Sequence, residues 1–143
     1  MYIISGCLLG MNCKYSGKDN FDKKVMDFAR KHSFMPVCPE VLGQLGIPRP
    51  PMEIRQGRVV TEAGLDVTDK LLEGCRVTYE TAVKIAQQRG EKIEGAILKA
   101  RSPSCGKGEI YDGTFSHQVV PGDGVFTTYL KGKGIRVITE ESL

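Results

Sequence analysis

No part of this chain is apolar over anything near the roughly 20 residues needed to cross a bilayer, so a membrane-spanning helix is excluded. No export leader is expected: MYIISGCLLG opens directly on a strand-like run, with no basic n-region, long apolar h-region or small-residue cleavage site. A cytoplasmic location is therefore expected. No CxxC pair occurs, which removes the usual scaffold of a structural zinc site. The five cysteines, Cys7, Cys13, Cys38, Cys75 and Cys105, are odd in number, and in a reducing compartment they argue against a disulfide framework. Strong charge is also lacking. Lys and Arg number 20 against 17 Asp and Glu, and the resulting +3 falls short of the basic footprint of a dedicated nucleic-acid binder. There is no internal repeat and no low-complexity segment.

What is present is ordinary globular composition, with 41% hydrophobic and 26% charged residues in 143, enough for one domain with one core. Short apolar runs at Tyr2 to Ser5 and Phe34 to Val37 read as buried strands, the first ended by Gly6 and the second by Cys38 and Pro39. Between them a helix from about Phe21 to Lys31 is expected, capped by Asn20, with Val25, Phe28 and Ala29 inward. VLGQLGIPRPPME should be an ordered but irregular loop, and GRVVTEAG a small strand or half a hairpin. From Asp66 to about Arg89, Val67, Leu71, Cys75, Tyr79, Ala82, Val83 and Ala86 recur at the spacing of one helical face, so Cys75 reads as a buried hydrophobe. Gly95 to Leu98 gives a third strand and a glycine-rich loop follows. A short helix capped by Asp123 and a fourth strand at Ile135 to Ile138 complete the pattern.

Strands alternating with helices imply right-handed crossovers and a parallel sheet, hence a three-layer α/β domain of Rossmann-like character with about four strands. Ligands of such sheets bind outside the carboxyl ends of the strands. Cys7, Cys38 and Cys105 each lie just beyond the carboxyl end of a different expected strand, so three sulfurs spread over about a hundred positions should face one crevice. Thiolates suit zinc, copper(I) or iron–sulfur clusters. Iron–sulfur clusters normally take four cysteines, so three would leave one iron open as a Lewis acid. Cys13 forms a CxxxxxC pair with Cys7 and is a possible fourth ligand, but it lies six positions past the strand end, where the chain is expected to be moving away.

Polar groups flank these thiols. Glu40, two residues after Cys38 in VCPEVLG, offers a general acid or base, and Ser102 and Ser104 on either side of Pro103 offer hydroxyls held by the proline turn. Lys99, Arg101 and Lys107 would add positive charge on the same side, suited to an anionic group or to developing charge. Asp112 and Gly113 read as a turn. His32 and His117 have no cysteine or carboxylate at ligand spacing and read as structural.

The segments SGCLLGMNCKYSG, PVCPEVLGQLGIPRPPMEI, GRVVTEAGLDVT and ILKARSPSCGKGEIYDGTFS together resemble the domain of unknown function 523 family over nearly the whole chain. Characterised members of that family are thiouracil desulfidases. The resemblance implies removal of sulfur from a thiolated pyrimidine base, nucleoside or nucleotide by an oxygen-sensitive 4Fe-4S cluster, with tRNA a less favoured partner. It implies Cys7, Cys38 and Cys105 as cluster ligands, and Glu40 with Ser102 or Ser104 as catalytic residues. Cys13 is not associated with the family's cluster. The alternative reading is a non-catalytic zinc protein using Cys7, Cys13, Cys38 and Cys105, with its basic loops against RNA or a partner.

Overall fold

A computed structural model describes residues 1–143. Strand β1 (Tyr2–Ser5) runs into a 3-10 turn at Gly6–Leu9, and helix α1 (Lys23–Ala29) leads to β2 (Phe34–Val37). A one-turn helix α2 (Pro39–Leu42) follows at once, then a hairpin of β3 (Met52–Arg55) and β4 (Arg58–Thr61), and the long α3 (Thr68–Gln88). Next come β5 (Gly95–Leu98), a second hairpin of β6 (Glu109–Tyr111) and β7 (Val119–Pro121), α4 (Val125–Gly132), β8 (Val137–Thr139) and a closing 3-10 turn.

The main sheet has four strands, all parallel as the alternating pattern predicts, and their order is β2-β1-β5-β8. Period-two alternation sorts its side chains onto two faces. Ile3, Met35, Val37, Ala96, Leu98 and Val137 meet Leu71, Cys75, Ala82, Phe126 and Leu130 from α3 and α4, while Ile4 and Ile97 meet Val25 and Ala29 from α1. Helices thus cover both faces.

The order contains a switch point. From β1 the chain crosses through α1 to β2 on one side, and from β2 it returns through α3 to β5 on the other side of β1. Right-handed crossovers in opposite directions put α1 and α3 on opposite faces, so the segments leaving β1 and β5 part and open a crevice between them. The Lys99 backbone N–H donates to Ser5 Oγ at 3.0 Å and ties the two strand ends together at its floor.

Boundaries differ from expectation where local polar contacts decide them. Helix α1 is capped by Asp22, whose carboxylate accepts from the Val25 N–H at 3.1 Å; the Asn20 N–H instead donates to the Cys7 carbonyl. Asp123 does not cap α4, whose N-cap is Gly124. Its carboxylate accepts from the Gly108 N–H and pairs with Lys131, both at 2.8 Å. The expected irregular loop starts as α2 and ends as β3, with GRVVTEAG supplying β4. The glycine-rich loop after β5 carries the β6–β7 hairpin. Strand β8 begins two residues later than expected.

Candidate active site

Cys7 sits in the 3-10 turn that follows β1, Cys38 between β2 and α2, and Cys105 in the loop beyond β5. All three line one cavity of about 340 Å³ at the carboxyl edge of the sheet, together with Glu40, Ser102 and Ser104. Cys13 lines it too, contrary to the expectation that the chain has moved away by that point. Gly10, with φ of 92°, turns the backbone through a conformation that side chains resist. The Gly10 and Met11 N–H groups then close back onto the Cys7 and Gly6 carbonyls. Cys13 thereby returns beside Cys38, whose Sγ is 3.7 Å from the Cys13 carbonyl oxygen.

A chain of hydrogen bonds crosses the cavity wall. Arg49 Nε donates to Glu40 Oε1 at 2.9 Å, and Ser104 Oγ donates to Glu40 Oε2 at 2.7 Å. Ser102 Oγ lies 2.9 Å from Ser104 Oγ and accepts from the Ser104 and Cys105 N–H groups at 3.2 and 3.1 Å. Arg49 also donates to the carbonyls of Gly46 at 2.9 Å and Cys13 at 2.8 Å. Side chains of Arg49 and Glu40 are 4% and 11% exposed, so this ion pair is nearly sheltered from water.

Arg49 was missed in the sequence. It is the lone charge in the proline- and glycine-rich stretch VLGQLGIPRPP, a weak signal that only its partners explain.

Two devices hold the loops. The start of α4 points into the Cys105 loop: Val125 N–H donates to Pro103 O at 2.9 Å, Phe126 N–H to Ser104 O at 2.7 Å, and Thr127 Oγ1 to Cys105 O at 2.8 Å. The two backbone N–H groups, otherwise orphaned at a helix start, and the Thr127 hydroxyl satisfy loop carbonyls. Gly124 permits the approach, since a Cβ there would lie 2.5 Å from the Ser104 carbonyl carbon. On the other side, α2 packs against α3 through Gly43 and Gly74; a Cβ on Gly74 would sit 2.0 Å from Pro39 O.

Charge around the cavity is largely neutralised internally. Lys99 pairs with Glu140 at 2.8 Å, and Arg101 makes a two-pronged pair with Glu141. The expected cationic rim is thus weaker than the sequence suggests, and exposed Lys107 does not line the cavity. His117, read as structural, does line it, with Tyr111 in edge contact at 6.2 Å. Glu53 supports that loop by accepting from the Gly113 and Phe115 N–H groups. His32 stacks on Phe28 and does not line the cavity.

The thiols differ electrostatically. Burial pushes Cys7 and Cys105 above the ordinary thiol range. A shared hydrogen bond draws Cys38 down to about 7 and holds Cys13 up, with the Val41 N–H and Arg49 adding to the pull on Cys38. Cys75 is wholly buried on α3 and outside the cavity, as its periodicity predicts. No three Cys, His, Asp or Glu side chains converge tightly enough to grip a single metal ion, which leaves the four-cysteine zinc alternative without an assembled site. Cys7, Cys13, Cys38 and Cys105 are free thiols that line one cavity, and thiolates are soft donors of the kind that zinc and iron–sulfur clusters both take.

Comparison with known proteins places the chain in a family and matches its fold. The profile of the 2-thiouracil desulfurase family matches residues 2–142. The chain belongs to that family. It is 37% identical to the uncharacterized protein YbbK of Bacillus subtilis strain 168, over all of this chain and 97% of that one. Among solved structures it is similar to the 4Fe-4S-dependent thiouracil desulfidase TudS, with a TM-score of 0.84, 38% identity, and coverage of 99% of this chain and 91% of the other. The similarity to that structure extends over the whole parallel α/β architecture. No helix is long and apolar enough to cross a membrane.

Proposed function

We propose that this protein removes sulfur from a thiolated pyrimidine of the 4-thiouracil, 2-thiouracil or 4-thiouridine type, using water and releasing the oxo-pyrimidine and sulfide. The observation that carries the reading is one cavity in which the thiols of Cys7, Cys38 and Cys105 face a buried Glu40–Ser104 pair. Cys7, Cys38 and Cys105 would hold a 4Fe-4S cluster. When bound, such a cluster supplies a Lewis-acidic iron for the substrate sulfur.

The rest falls to the chain's own side chains. Glu40 Oε2, reached through Ser104 Oγ, is placed to take a proton from water as its oxygen adds to the ring carbon that bears sulfur. Ser104 is 1% exposed and touches Glu40 directly, so of the two serines it is the one in the proton path; Ser102 supports it. When the carbon–sulfur bond breaks, the added hydroxyl gives up its remaining proton and becomes the ring carbonyl, and that proton and the one held on Glu40 leave with the sulfur as hydrogen sulfide. Oxidation states are unchanged in the net reaction. The burial of Glu40 and Ser104 keeps bulk water from competing for these protons.

Protein purified without oxygen and supplied with iron and sulfide should convert 4-thiouracil to uracil and sulfide, followed by the loss of thione absorbance. Glu40→Ala should keep iron and acid-labile sulfide but lose turnover, whereas Cys105→Ala should lose both. An active Glu40→Ala enzyme removes that residue from the mechanism, and a colourless protein carrying one zinc refutes the cluster.

A further inference from the structure

We infer that Arg49 is a positioning residue that sets the orientation of the Glu40 carboxylate and, through it, the direction of the Glu40–Ser104–Ser102 hydrogen-bond chain; this rests on the desulfidase reading for its kinetic consequence.

A guanidinium only donates, so Glu40 Oε1, 2.9 Å from Arg49 Nε, is committed as an acceptor. That leaves Oε2 to face Ser104. The Ser104 hydroxyl has one hydrogen and spends it on Oε2 at 2.7 Å in preference to Cys105 Sγ at 3.5 Å. Ser104 Oγ can then only accept from Ser102, and the Ser102 hydrogen must point to it. Ser102 cannot reverse this, because its lone pairs already receive the Ser104 and Cys105 N–H groups. Every hydroxyl in the chain is thus oriented toward Glu40, and the element that breaks the symmetry of its two oxygens is Arg49.

Arg49 is itself held rigidly. Its Nη1 and Nη2 donate to the Gly46 and Cys13 carbonyls, and its own N–H donates to Tyr15 O at 2.8 Å. The guanidinium fork therefore joins three pieces of chain: the Cys13 segment, the Gly46 loop and α2. A lysine at this place would preserve the charge that compensates buried Glu40, but a lone ammonium has no planar fork and could not make all three contacts in the same directions. Arg49→Lys thus separates orientation from charge.

The test is a double-mutant cycle on 4-thiouracil turnover by cluster-loaded protein, with Arg49→Lys, Glu40→Gln and the double variant. Arg49→Lys should lower kcat about 10- to 100-fold, the scale expected for a displaced catalytic group, with KM within about twofold and iron content equal to wild type. With rates normalised to iron content, because Arg49 Nη2 also lies 3.9 Å from Cys38 Sγ, Arg49→Lys should have no further effect in the Glu40→Gln background, since the part of its action that runs through Glu40 has nothing left to act on. Effects that multiply, or a fall in iron content that accounts for the lost rate, overturn the proposal. Should Arg49→Lys not fold, Arg49→Gln is carried through the same cycle with the same expected and opposing results. A crystal structure of the apo variant supplies the readout independent of catalysis: Glu40 Oε2 should leave Ser104 Oγ, and an unmoved Glu40 refutes the claim. Wild-type protein is assayed in parallel. Absence of turnover there counts against the desulfidase reading alone, since the crystallographic result still decides whether Arg49 orients Glu40.

Discussion

Two of the three loops that deliver the site, those after β2 and β5, both leave the carboxyl end of a parallel strand yet are held by different forces. The Cys38–Glu40 segment is fixed by packing: α2 lies on α3 with glycine against glycine and no room for a Cβ. The Ser102–Cys105 segment is fixed by hydrogen bonds from the start of α4, with Gly124 allowing the contact. Steric clamps fail abruptly when atoms are added, because close-packed interiors cannot give way cheaply. Hydrogen-bond clamps fail in increments of about 1 kcal/mol per bond. The Glu40–Ser104 bond spans the two loops, so damage to either clamp should register there.

The largest effect is expected from Gly74→Val, which drives a branched side chain into the Pro39 carbonyl. It should cost on the order of 3 kcal/mol or more, measurable as a fall of many degrees in Tm, with loss of turnover. Gly124→Ala adds a smaller group against the Ser104 backbone, and a loss of about 2 kcal/mol is expected, with Cys105 and Ser104 shifted in a crystal structure. Thr127→Val removes one hydroxyl and leaves the buried Cys105 carbonyl without its donor; denaturant unfolding should show a loss of about 1 to 2 kcal/mol. If Thr127→Val costs as much as Gly74→Val, the contrast between the clamps is wrong.

The smallest effect concerns pH and reports on the packed side. Burial, aided by the charge of Glu40, pushes the Cys75 thiol up to about 12 from an ordinary 9.0. The unfolded chain therefore loses that proton first. The stability this thiol contributes is fully present below pH 9 and is lost as pH rises toward 12, amounting to about 1 kcal/mol between pH 9 and pH 10. Cys75→Val should remove that part of the slope from an unfolding series over this range. An unchanged slope would mean that α3 is less tightly sealed against α2 than its glycines indicate.

These clamps mark the limits of what the residues show in line. Strands β1, β2 and β5 were readable to the residue because short apolar runs, ended by Gly6, by Cys38 and Pro39, and by Lys99, report burial directly. The face of α3 was readable from its period, including buried Cys75. Its start was less so, and the caps of α1 and α4 were misplaced, because several neighbouring Asx side chains compete and the winner depends on contacts made elsewhere. Asp123 lost the helix to Gly124 once Gly108 and Lys131 claimed its carboxylate. The two hairpins beyond the main sheet were only half visible, since their strands of three or four residues sit among turn-formers.

For the site, the convergence of Cys7, Cys38 and Cys105 and the nearness of Glu40, Ser102 and Ser104 were legible, because topology alone sends every loop at the carboxyl edge of a parallel sheet to one side. The return of Cys13 was not legible, since it hinges on one left-handed glycine and on the reach of Arg49 across 36 positions of sequence. Nor was the quenching of Lys99 and Arg101 by Glu140 and Glu141, which come from the far end of the chain.

Alternation, helical period and strand-ending residues are local properties, so the amino-acid order by itself determined the parallel architecture and the edge at which the sulfurs gather. Which carboxylate oxygen faces which hydroxyl, which cations remain free and whether a fourth thiol joins the cavity were decided only by tertiary structure. Each depends on groups from three or more segments meeting within hydrogen-bonding distance, and such a meeting leaves no periodic trace along the chain.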